Sequence, residues 1–147
     1  HGLQDHVYMT GRVEWEDLPR WHNVADVFVT PSRSAPPSVE GFGIVFLEAN
    51  ACGKPVIGAR TGGIPDAVLD GETGLLVDAD APSALAKAVN SLFSNQELAD
   101  RLGRQGREQA GQHEGQGDCA RHIRHHAIGF RVSEGVSTPP RVPIAKR

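Results

Sequence analysis

Two carboxylates, Glu40 and Glu48, stand eight residues apart, and Gly41, Phe42 and Gly43 follow directly on the first of them. Helix-forming and apolar residues run from Ile44 to Ala51 and stop at Cys52-Gly53-Lys54-Pro55. Gly53 suits the left-handed position that closes a helix, and Pro55 cannot continue one, so the pattern predicts a helix over Gly43 to Cys52. The first N–H groups of that helix point back into the loop carrying Glu40. Unpaired donors and the helix dipole act together there and attract an anion. The glycines let a phosphate approach the main chain without meeting a Cβ. Two acids beside an anion site make sense if the ligand also carries hydroxyls that donate to carboxylates. Phosphate with many hydroxyls describes a sugar nucleotide.

The same stretch resembles the acid pair of retaining GT-B glycosyltransferases, family 4 or group 1. Its flanks agree: Ala25-Asp-Val-Phe-Val-Thr-Pro-Ser-Arg33 precedes it, and Ala51-Cys-Gly-Lys-Pro-Val-Ile57 follows. Gly62-Gly-Ile-Pro-Asp66 and Asp70-Gly-Glu-Thr-Gly-Leu-Leu-Val77 come next. An acid pair alone is a weak signal, whereas five ordered motifs make a strong one. The resemblance covers Gly2 to Ala110 and implies an α/β fold: a Rossmann-like parallel sheet, the incomplete C-terminal half-domain of a GT-B fold. Residues 1–111 would be a partial nucleotide-sugar-binding donor domain, and 112–147 an irregular or disordered tail.

The resemblance also implies roles. Glu40 would be the catalytic position, at the donor sugar hydroxyls beside the reacting carbon. Gly41, Phe42 and Gly43 would offer backbone N–H groups to the sugar and the leaving phosphate, and Glu48 would hold the ribose hydroxyls. Gly11 and Val13 match a turn that lies against the base, although a turn glycine and a core valine read equally well. Gly63 belongs to a loop beneath the sugar and pyrophosphate. Arg33 could meet a phosphate or pair with a nearby acid. The reaction would transfer a hexose with retention, using a nucleotide sugar as donor substrate and neither cofactor nor metal. The acceptor would be a sugar, lipid or other hydroxyl compound bound by a missing N-terminal domain. The family's phosphate-binding Arg and Lys lie upstream of the first strand and have no match here. Two alternatives stay open: a non-catalytic fragment or sugar-nucleotide-binding module, and a GT-B sugar-nucleotide epimerase.

At 147 residues, 39% of them hydrophobic, the chain holds one ordinary domain and a share that is not packed. A net charge of −3 does not suggest nucleic acid or an anionic membrane. No apolar run reaches the length of a membrane span, so the expected setting is cytoplasmic, with peripheral membrane association only as a property of a full enzyme. Cys52 and Cys119 read as free thiols. The chain opens on His1 and its only methionine is Met9, so a piece of something longer is expected.

Hydrophobic patterning places strands at Asp5–Thr10, Val27–Thr30, Pro55–Ala59 and Gly74–Val77. Helices are expected from about Asp17 to Ala25 (apolar face Trp15, Leu18, Trp21, Val24 and Ala25), over Ile64–Leu69 with Asp66 as a cap or fold residue, and over Pro82–Phe93. Asp80 is placed as N-cap of that last helix, in preference to a metal ligand with Asp78. A further helix starts at Asn95 and should decay from Gly103, because each internal glycine costs a helix about 1 kcal/mol relative to Ala. In the tail, Cys119, His122 and His125 or His126 could share a helix face and bind zinc. Apolar surface left by missing strands should be exposed.

Overall fold

The computed structural model describes residues 2, 4, 6–33 and 41–113. A short 3-10 turn, Trp15–Asp17, leads into α1 (Leu18–Val24). Then follow β1 (Phe28–Thr30), α2 (Ile44–Ala51), β2 (Val56–Ala59), α3 (Ile64–Ala67), β3 (Gly74–Val77), α4 (Pro82–Ser94) and α5 (Gln96–His113). The three strands form one parallel sheet in the order β1-β2-β3. Val29 is level with Ile57, and Ile57 with Leu75. Helical crossovers between parallel strands make this an α/β fold.

Because side chains alternate along a strand, the sheet feeds a separate cluster on each face. Val56 and Leu76 join Phe46, Leu47, Ala49, Ile64 and Val68 on one face. Ile57 and Val77 join Leu92, Ala99 and Leu102 on the other. Both faces are covered, which is why β2 is buried at every position. Phe46 and Leu47 are wholly buried, each worth about 1.5–3 kcal/mol against exposure.

α2 ends as its sequence predicts. Gly53 takes φ 73°, the Lys54 N–H donates to Ala49 O at 3.1 Å and the Gly53 N–H to Asn50 O at 2.7 Å. These are the paired bonds of a Schellman closure. Buried Asn50 then donates from Nδ2 to Lys54 O and Thr73 O, both at 3.1 Å, tying the helix end to the approach of β3.

Four expectations need correction. Val7–Thr10 form no strand, and Val7, Tyr8 and Met9 are 55%, 66% and 91% exposed. Without a ladder or burial, nothing offsets the entropy of extending them. Helix α5 does not decay at Gly103 but runs through Gly106 and Gly111 to His113. A Cβ at Gly103 would collide with Gly53 O, and one at Gly106 with the Asn50 amide, so these glycines let α5 lie directly on α2. Tertiary packing overrides their poor propensity. Asp80 is not the N-cap of α4: Ala81 holds that place without a side-chain bond, and Asp80 sits at φ 62° paired with Arg33. Finally, α1 buries Pro19 and His22, while Trp15, Trp21 and Val24 stay 38%, 37% and 46% exposed. The buried side of α1 carries His22, which packs edge-on against Phe28 and which an apolar count cannot register.

The other elements follow the sequence reading. Pro19 lies in the first turn of α1, and the Asn95 Oδ1 accepts from the Leu98 N–H at 3.0 Å just ahead of α5. Asp66 lies in the first turn of α3, but Gly63 precedes that helix without a side-chain cap. No described helix is long and apolar enough to cross a membrane.

Candidate donor site at the carboxyl edge of the sheet

In an open parallel sheet, ligands gather outside the carboxyl ends of the strands. Here those ends carry Pro31–Arg33, Arg60–Gly63 and Asp78–Ala81. The turn into α2 joins them at Gly63. The Gly63 N–H donates to Gly41 O at 3.1 Å. A Cβ on residue 63 would stand 2.5 Å from that oxygen and 3.0 Å from the Phe42 Cα, so glycine is required for the two loops to meet.

Gly43 enters α2 at φ 76°, a left-handed conformation that a side chain strains, and Gly43 O accepts from the Phe46 N–H at 3.0 Å. Among the described residues no side chain caps α2. The N–H groups of Ile44 and Val45 therefore head the helix with its positive dipole end behind them. Phe42, 44% exposed, forms the outer wall of this turn. The structure thus brings together Gly41, Phe42, Gly43 and Gly63 from two separate sequence motifs.

Glu48 lies one turn deeper on α2 and is only 3% exposed. Its Oε2 is 3.9 Å from Nε2 of His22, itself 8% exposed on α1. The imidazole meets Phe28 edge-on at 5.3 Å, and Phe28 meets Phe46 edge-on at 5.7 Å. His22 is the residue that sequence reading missed. Its signal was its place one turn before the β1 motif, on a face that looked polar.

The remaining candidates lie apart from the glycine turn. Arg33 pairs with Asp80 at a small cavity of about 150 Å³ between Pro31, Val77, Ala81 and Leu85. Val13 is half-buried in the segment before the 3-10 turn. Arg60, at the end of β2, pairs with Asp70, whose Oδ1 accepts from the Leu76 N–H at 2.8 Å. Glu40 and the Cys119, His122, His125 and His126 set lie outside the described residues. Among the described residues no cluster of His, Cys, Asp or Glu could hold a metal ion. At the far end of α2, burial pushes the Cys52 thiol pKa up, opposed by Lys54 and Arg107 and aided by Glu48.

The profile of the glycosyl transferases group 1 matches residues 1–109, so the chain belongs to that family. It is 45% identical over 111 residues to a GDP-mannose-dependent alpha-(1-6)-phosphatidylinositol monomannoside mannosyltransferase of Mycolicibacterium smegmatis. The match takes in 74% of this chain and 29% of that protein, so the chain spans under a third of this relative. Among solved structures it is similar to Anabaena HepE in complex with UDP and glucose, with TM-score 0.70 and 26% identity over 86% of this chain and 32% of that one. It also resembles the C-terminal domain of a group 1 glycosyl transferase from Francisella tularensis, with TM-score 0.61 and 27% identity, covering 69% of this chain and 50% of that domain. These neighbours fix the GT-B assignment expected from the motifs.

Proposed function

We propose that this chain is the donor-binding part of a retaining glycosyltransferase that moves a hexose from a nucleoside diphosphate sugar to a hydroxyl acceptor. The observation that carries this reading is the start of α2, which no described side chain caps, clasped by the Gly41–Gly63 contact at the carboxyl edge of the sheet. A diphosphate placed there meets the Ile44 and Val45 N–H groups and the helix dipole. The same donors stabilise charge as the leaving group departs. Glu40 takes the catalytic position beside the sugar, Gly41 to Gly43 line the sugar and phosphate, Gly63 forms their floor, and Val13 faces the base. Glu48 accepts hydrogen bonds from the ribose hydroxyls.

Supporting the reading, the mycobacterial relative is named for GDP-mannose, and the Anabaena structure holds UDP and glucose. Likeness to a C-terminal domain agrees with a donor-side role, the acceptor being bound by a preceding domain. No cofactor or metal enters the scheme, and the setting proposed is the cytoplasm.

Arg33 and Arg60 both face acids, so neither is set against the turn as a dedicated phosphate cation. This favours a second reading for the chain by itself: a nucleotide-binding piece without turnover. Calorimetric titration with GDP, UDP and ADP tests both. Micromolar binding of one nucleotide, without hexose transfer, is expected of the isolated chain. No detectable binding by folded protein would refute the donor-site reading.

A further inference from the structure

We propose that His22 is a positioning residue that fixes the Glu48 carboxylate for the ribose hydroxyls, an inference that rests on the donor-site reading above. A carboxylate 3% exposed is costly to bury unless a donor answers it. His22 presents Nε2 to Oε2 from the neighbouring helix, at 3.9 Å. At that distance the two groups face each other without a direct hydrogen bond.

The imidazole is held in place by its packing. It is 8% exposed and braced against Phe28, which is braced in turn against Phe46 on α2. A binding carboxylate serves best when a second group locks its rotamer. His22 supplies that lock from a helix outside the glycine turn, coupling the α1 segment to ribose recognition.

The test compares GDP and UDP with their 2′,3′-dideoxy counterparts on the whole chain. Wild-type protein should bind the ribonucleotide at least about tenfold more tightly, the worth of a hydrogen bond to a carboxylate. Glu48→Ala should erase that preference. His22→Phe, which keeps the ring and its packing, should also erase it while leaving dideoxynucleotide affinity unchanged. His22→Gln, which keeps a donor near Nε2, should retain most of it.

A His22→Phe variant that keeps the preference, or weakens both nucleotides equally, overturns the positioning role and leaves the Glu48 reading standing. Loss in His22→Gln as deep as in His22→Phe overturns it as well. Wild-type protein that binds without ribose preference overturns this proposal and the ribose role of Glu48 but leaves the phosphate site at α2 standing, whereas no binding at all refutes the donor-site reading itself. Circular dichroism on each variant separates these outcomes from unfolding.

Discussion

The two ends of α2 each have a close approach that leaves no room for a Cβ on the facing glycine, and the two do different work. At the foot of α2, Gly103 and Gly106 let α5 press against Gly53 and Asn50. At the head of α2, Gly63 lets one loop press against Gly41 and Phe42. The first contact is buried beneath two helices and holds the core together. The second faces solvent at the carboxyl edge, where the N–H groups of α2 are unanswered within the helix. One kind of device therefore builds a scaffold at one end and the proposed binding surface at the other.

The sharpest way to break the comparison is Gly106→Val. The added carbons must displace the Asn50 amide, which donates to Lys54 O and Thr73 O. Overpacking together with the lost bonds should cost about 3 kcal/mol, read from urea unfolding midpoints. A loss under about 1 kcal/mol would mean that α5 can slide on α2.

Gly63→Ala should separate the two roles. The loops can move apart into solvent, so stability should fall by only about 1 kcal/mol. Nucleotide affinity should fall at least about tenfold, because the donors at the head of α2 shift from their place. An unchanged affinity would detach the loop contact from binding.

A smaller effect concerns Cys52, at the closing end of α2. Its folded-state pKa is raised, chiefly by burial. Its contribution to stability is therefore present in full below the ordinary thiol pKa and is lost as pH rises through the raised folded value. Unfolding midpoints should drop in that alkaline window, and Cys52→Ala should flatten part of the drop. Alkylation near pH 7 should be slow.

The smallest effect belongs to Arg33→Ala. Its pair with Asp80 is exposed on both sides, 71% and 64%, so stability should change by no more than about 0.5 kcal/mol. A large loss of nucleotide affinity in this variant would show that Arg33 leaves Asp80 for a phosphate.

What the sequence revealed, and what it hid, divides along the same line. Local rules were enough for α2: the glycine entry, the apolar run and the Gly53-Lys54-Pro55 closure all act within a few residues, and the folded helix keeps them. Strands β1, β2 and β3 were legible as short apolar runs bounded by turns. Gly103 and Gly106 were misread as helix breakers because their reason is the partner helix, some fifty residues earlier in the chain. His22 was overlooked for the same cause. Its burial answers Glu48, twenty-six residues later, and helical periodicity counts apolar residues only. Gly63 was placed in the right loop, but its contact with Gly41 is visible only once both loops reach the carboxyl edge.

The central claim is that the head of α2 receives a nucleoside diphosphate. Amide chemical-shift mapping of the labelled chain with GDP and with UDP tests it most directly. The account predicts saturable shifts at Gly41, Gly43, Ile44, Val45 and Gly63, with Gly103 and Gly106 unmoved. Shifts confined to other parts of the chain, or none at millimolar nucleotide, would contradict it.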